Sequence, residues 1–133
     1  MRLSRQSLSL FCAGFLFLPA QLDADPSLEC SGAGSQVEIG DCVAGMEAQV
    51  ETALGIAYEI ALSSAEELDQ TTGRETARPA LEQAQTAWSA YRDAQCEAVG
   101  ASFGGGSGTG IGIRSCRVEL GRIRVDALLG MGR

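Results

Sequence analysis

Apolar residues recur at three- and four-residue steps from Met46 onward: Val50, Ala53, Leu54, Ala57, Tyr58, Ala61 and Leu62. That is the stripe of an amphipathic helix, and Glu47, Glu51, Glu59, Glu66 and Glu67 take its other side. Thr71, Thr72 and Gly73 mark its stop. Upstream, Ser35 followed by Glu38 fits a capping box. Gly40 and Gly45 then predict a short helix over 35–44 that breaks or bends before the long one. A second helix begins near Pro79, whose missing N–H costs nothing in a first turn. Its inward face reads Leu81, Ala84, Trp88, Tyr91 and Gln95. A third covers about 114–129, with Ile113, Cys116, Leu120, Ile123, Ala127 and Leu128 inward. Between them, "VGASFGGGSGTGIG" is too rich in glycine for a regular element and reads as a connector. Few runs alternate with period two, so no sheet is expected. The pattern predicts an all-α fold: a small helical bundle made of a long antiparallel helix hairpin plus a third helix.

The first residues follow a different pattern. Arg2 and Arg5 precede an apolar run over 8–18, then Pro19 and small residues, the order of a secretory signal peptide. The run is about half the ~20 residues a membrane span needs. Residues 1–24 are therefore expected to be a cleaved leader, with Ala20 and Ala24 as alternative cleavage points, and 27–130 to be the helical domain. Lipidation at Cys12 is not expected, because Phe11 stands where a small residue is needed. The expected location is the periplasm or the extracellular space.

Removing the leader sharpens the charge. The whole chain has a net charge of −7. Cleavage after Ala20 leaves eight arginines, no lysine and no histidine against 17 acids, a balance of −9. A nucleic acid would be repelled, whereas a cationic protein would be drawn in. Solubility alone also accounts for such acidity.

Cys30, Cys42, Cys96 and Cys116 remain after cleavage, and an even set in a small exported chain reads as two disulfides. If the long helices meet at 69–79, antiparallel packing sets Cys96 level with about residue 52. Cys42 then lies roughly 15 Å further along, while Cys116 opens the third helix just across the glycine connector. The register favours Cys96–Cys116 and, by remainder, Cys30–Cys42. Each closes a loop worth up to ~3 kcal/mol in the chain-entropy account. A metal site is not expected, since there is no CxxC pair and no histidine.

Enzymatic chemistry finds little footing. No histidine is present to activate a serine, and the cysteines are paired. Glu66 with Glu67, and Glu38 with Asp41, are adjacent carboxylates on a solvated helical face. The glycine run lacks the GK[ST] ending and the preceding strand of a nucleotide loop, so no cofactor is expected. Gly104, Gly105, Gly106, Ser107 and Gly108 instead form a candidate partner-binding loop. "TAWSAYRDAQC" gathers the only tryptophan with Tyr91, Arg92, Asp93 and Cys96. Its aromatics are expected to pack between helices. Arg92 and Asp93, adjacent in sequence, are not expected to face each other; Arg92 is expected to reach a carboxylate elsewhere.

These motifs resemble a known family. "AQTAWSAYRDAQC", the following "GGGS", and the series Cys116, Leu120, Arg124, Leu128 are similar to the lysozyme inhibitor LprI-like domain. So are the Cys30–Cys42 spacing with Gln36 and Glu38 between, and Leu54 with Tyr58. The similarity runs over about 29–128. Gly55 and Gly121 depart from the family's usual Asn and Thr, and are expected to soften their helices. The resemblance implies a bacterial, exported, disulfide-containing helical domain, some of whose relatives inhibit lysozyme. The implied partner is a cationic lysozyme; the alternative is an envelope binding or scaffold module without one.

Overall fold

The computed structural model describes residues 25–132, so the expected leader lies outside the described residues. Four helices follow one another: α1, Pro26–Glu29; α2, Gln36–Thr72; α3, Ala77–Ala101; and α4, Gly108–Met131. No strand occurs among the described residues. Pairs across the interfaces give the directions. Gly40 faces Ile111, Gly121 faces Val50, and Gly132 faces Ile60, so α2 and α4 run parallel. Arg124 bonds Gln85 and Cys96 bonds Cys116, so α3 runs antiparallel to α4. The result is an up-down-up bundle with α1 strapped along α2 and α4.

Helix α2 starts as its capping box predicts: Ser35 Oγ accepts from the Glu38 N–H at 3.3 Å. It does not break at Gly45. Each glycine costs about 0.5–1 kcal/mol in a helix interior, but Val43 is fully buried and Cys42 is bonded to Cys30 two turns into the helix. Tertiary contacts of this kind override local propensity. Gly73, at φ 67°, ends the helix in the left-handed conformation that favours glycine.

One residue both ends α2 and starts α3. The carbonyl of Asp69 accepts from the N–H groups of Gly73 and Arg74. Its carboxylate accepts from those of Thr76, Ala77 and Arg78 at 3.1, 2.8 and 3.0 Å. Thr76 therefore needs no side-chain cap of its own.

The glycine run contradicts expectation most clearly. Helix α4 begins at Gly108, six residues ahead of Arg114, and takes in Gly108, Gly110 and Gly112. A Cβ on Gly112 would lie 2.9 Å from Phe103 Cζ, and one on Gly100 would lie 2.5 Å from Ile113 Cγ1. These glycines let α3, the turn and α4 approach more closely than any side chain allows. Gly121 acts likewise: a Cβ there would overlap Val50 Cγ1. It is a point of helix–helix contact rather than a softening of α4. Gly55 faces open space.

The main core joins Leu54, Ala57, Ala61 and Leu62 of α2 to Leu81 of α3 and Leu128 of α4, with Trp88, Tyr58 and Val125 packed against it. The inward face of α4 runs through Val118, Gly121 and Leu128, with Leu120 half-buried. Ile123 and Ala127, expected inward, are exposed, because that face is rotated from the expected one. Both disulfides form as the register favours, Cys30–Cys42 and Cys96–Cys116, closing separations of 12 and 20 residues.

Candidate functional site

The tryptophan cluster is a clamp across three helices. The inward face of α3 is Leu81, Gln85, Trp88, Arg92 and Cys96, not the face through Ala84, Tyr91 and Gln95. Tyr91 is accordingly 55% exposed instead of packed between helices. The guanidinium carbons of Arg92 and Arg124 lie 5.2 and 5.8 Å from the Trp88 ring centroid, within cation–π range. Arg92 Nη1 donates to Glu51 of α2 at 2.6 Å, the distant carboxylate the sequence calls for. Its Nε donates to Asp93 Oδ1 at 3.0 Å, so these neighbours do meet, contrary to expectation. Arg124 Nε donates to Gln85 Oε1 at 2.9 Å, and burial holds its pKa below the ordinary arginine value. Arg92 Nη1 and Arg124 Nε are thus spent on holding helices together, Arg124 Nη2 is buried without a partner, and no nucleophile stands among them.

The hairpin corner holds a cavity of about 590 Å³ lined by Glu66, Asp69, Glu75, Arg78 and Glu82. Four of these five charges, all but Glu75, are already engaged. Arg78 reaches Glu66 at 2.7 Å and Glu82 at 3.1 Å. The backbone N–H groups of Arg78, Ala77 and Thr76 hold the Asp69 carboxyl below the usual aspartate range. A carboxylate stabilised in its charged form is a cap, not a proton donor.

The glycine-turn end differs. Residues 102–107 form a tight turn with Gly104 at φ 66° and Gly105 at φ 83°. Gly104, Gly105, Gly106 and Ser107 lie in it; Gly108 is the first residue of α4. Ser102 Oγ donates to the Val99 carbonyl at 2.6 Å, and the N–H groups of Phe103 and Gly104 donate to Gly100 and Ala101. With Cys96–Cys116 behind it, the turn is a short braced projection rather than a long free loop. Two concavities of about 410 and 320 Å³ flank Ile111 beside it. Phe103 and Val37 expose 51% and 73% of their surface there. Sequence reasoning missed Phe103 and Ile111. The available signal was a lone aromatic in a glycine run, whose role depends on a helix start that propensity hides.

Among the described residues, no group of His, Cys, Asp or Glu could hold a metal ion, and no helix is long and apolar enough to cross a membrane.

The model for lysozyme inhibitor LprI matches residues 29–128. The chain belongs to the LprI family. The matched region contains both disulfides, the Trp88 clamp and the glycine turn. A protein of Rhizobium meliloti (strain 1021), described only as uncharacterized, is 31% identical over 108 residues, covering 77% of this chain and 78% of its own. No solved structure matches the chain. The LprI motif residues thus divide by position: Trp88, Arg92 and Arg124 form the clamp, Asp93 supports it, Leu120 and Leu128 face the bundle, and Tyr91 is exposed.

Proposed function

We propose that this LprI-family chain is exported to the periplasm or beyond, where it binds and inhibits a cationic lysozyme. The family match over residues 29–128 carries the reading. Three features support it. The apolar leader pattern and the paired cysteines suit export. The acid excess suits a cationic partner, since opposite net charges raise the encounter rate and are screened by salt. The braced turn at 102–107, with Phe103 and Val37 exposed beside it, offers a rigid contact surface, so little conformational entropy is lost on binding.

Inhibition here is occupation of the partner's surface, with no catalytic step by this chain. Neither a cofactor nor a nucleic acid takes part. The test is the rate of cell-wall lysis by several cationic lysozymes with the oxidised protein present. Protection at micromolar concentration, fading as salt rises, is expected; unchanged lysis throughout rejects the reading.

A further inference from the structure

Three sulfur atoms meet where α1 is strapped to α2. Cys42 and Met46 stand about one turn apart on α2, so their side chains share a face. Cys30 reaches that face from the end of α1. It is bonded to Cys42, with 5.9 Å between the Cα atoms, and its Sγ lies 3.5 Å from Met46 Sδ. Sequence spacing does not reveal this set, because the third donor is a thioether that folding brings to the cysteines.

The two disulfides differ in access. Cys96 and Cys116 are 0% and 7% exposed at the junction of α3 and α4, whereas Cys42 is an exposed residue beside the buried Cys30. Exchange with an external thiolate depends on reaching a sulfur. A small dithiol therefore opens Cys30–Cys42 first, attacking Cys42 Sγ and expelling the Cys30 thiolate. Its second thiol then frees Cys42. Two electrons and two protons pass to the two cysteines, and the dithiol leaves as its own disulfide.

We propose that, once a dithiol has reduced Cys30–Cys42, the sulfurs of Cys30, Cys42 and Met46 bind one Cu(I) ion. The strap keeps other holds after reduction: Pro26 is fully buried, and Arg122 donates to both Glu29 oxygens, at 2.6 and 3.1 Å. Cys30 thus stays beside its two partners. Metal–thiolate bonds of about 2.3 Å set three sulfurs around one ion about 4 Å apart, close to the 3.5 Å already present between Cys30 and Met46. Two thiolates and a thioether are soft donors, which suit Cu(I). Zn(II) takes thiolate, imidazole or carboxylate rather than a thioether. Cu(I) displaces the two thiol protons and replaces the disulfide as the tie between α1 and α2. The inference stands apart from the inhibitor reading and needs no lysozyme.

The test has two stages. The oxidised mature chain is treated with dithiothreitol under native conditions, and free thiols are trapped with N-ethylmaleimide and mapped by mass. Labels on Cys30 and Cys42, with Cys96–Cys116 still joined, are expected. Reduction of Cys96–Cys116 first, or at the same rate, overturns the proposal. In the second stage the reduced chain, freed of dithiothreitol and left untrapped, is titrated anaerobically with Cu(I) in competition with bicinchoninate. It should withdraw one Cu(I) per chain, and X-ray absorption should show sulfur alone around the ion. The oxidised chain should withdraw none. Met46→Leu conserves volume and keeps both thiols. Loss of a mere supporting partner of a metal ligand weakens binding roughly tenfold or more, so loss of this ligand should weaken it at least as much. Four results overturn the proposal: a chelator that keeps all its Cu(I), uptake by the oxidised chain, lighter atoms in the copper shell, or unchanged affinity in Met46→Leu.

Discussion

Asp69 does two jobs, and its carboxylate sets a pH dependence. Because backbone N–H groups favour its charged form, the folded pKa lies below the unfolded one. Its stabilising contribution is therefore complete above the ordinary aspartate value of about 4, and is lost as pH falls through the lower folded value. Asp69→Asn should melt several degrees below the wild type at neutral pH, with the gap closing in acid. A gap that stays constant from pH 7 to about pH 2 would show that the carboxylate is not the cap. Gly121 makes a second residue-scale case. Adding one methyl at Gly121→Ala presses on Val50, and overpacking of this kind costs about 1–3 kcal/mol. Val50→Ala clears the space, so the double mutant should lose less than the two single losses summed. Additive losses in denaturant unfolding would mean the two helices do not meet there.

At the scale of elements, the legible parts of this fold were those decided locally. The capping box at Ser35, the stop at Gly73 and the helical stripe of α2 follow from neighbouring residues, and the cysteine register follows from helix lengths. What was hidden depends on partners far along the chain. Arg92 reads as polar, yet it turns inward because Trp88 and Glu51 receive it, and Tyr91 is displaced outward as a result. The start of α4 reads as a glycine linker, yet Phe103 occupies the space that Gly108 and Gly112 leave. The candidate turn was half visible: glycine density located it, but its shortness and the groove beside it depend on that same hidden helix start. Continuity of α2 through Gly40 and Gly45 is likewise non-local. If Cys30–Cys42 supports it, Cys30→Ser with Cys42→Ser should speed amide exchange over residues 36–45 and leave residues beyond 50 protected. Uniform protection would assign the continuity to Val43 packing alone. Removing Cys96–Cys116 instead should cost about 3 kcal/mol for its 20-residue separation, with most helicity retained in the far half of the bundle.

The whole molecule has two unlike ends. At the hairpin corner, charges close on one another through Arg78 and Asp69. At the other, a braced turn, exposed Phe103 and Val37, and two concavities face outward. A net charge of −7 over the full sequence favours a cationic partner approaching this acidic molecule. Deleting Gly104 to Gly106 should weaken inhibition without loss of helicity, and inhibition unaltered by that deletion would remove the turn from the contact. The most direct measurement is lysozyme inhibition itself, taken with the oxidised protein across a salt series. The account predicts micromolar or better inhibition of a cationic lysozyme at low salt, weakening steadily as the charges are screened. Full lytic activity at every salt concentration, against every lysozyme type tried, would contradict it.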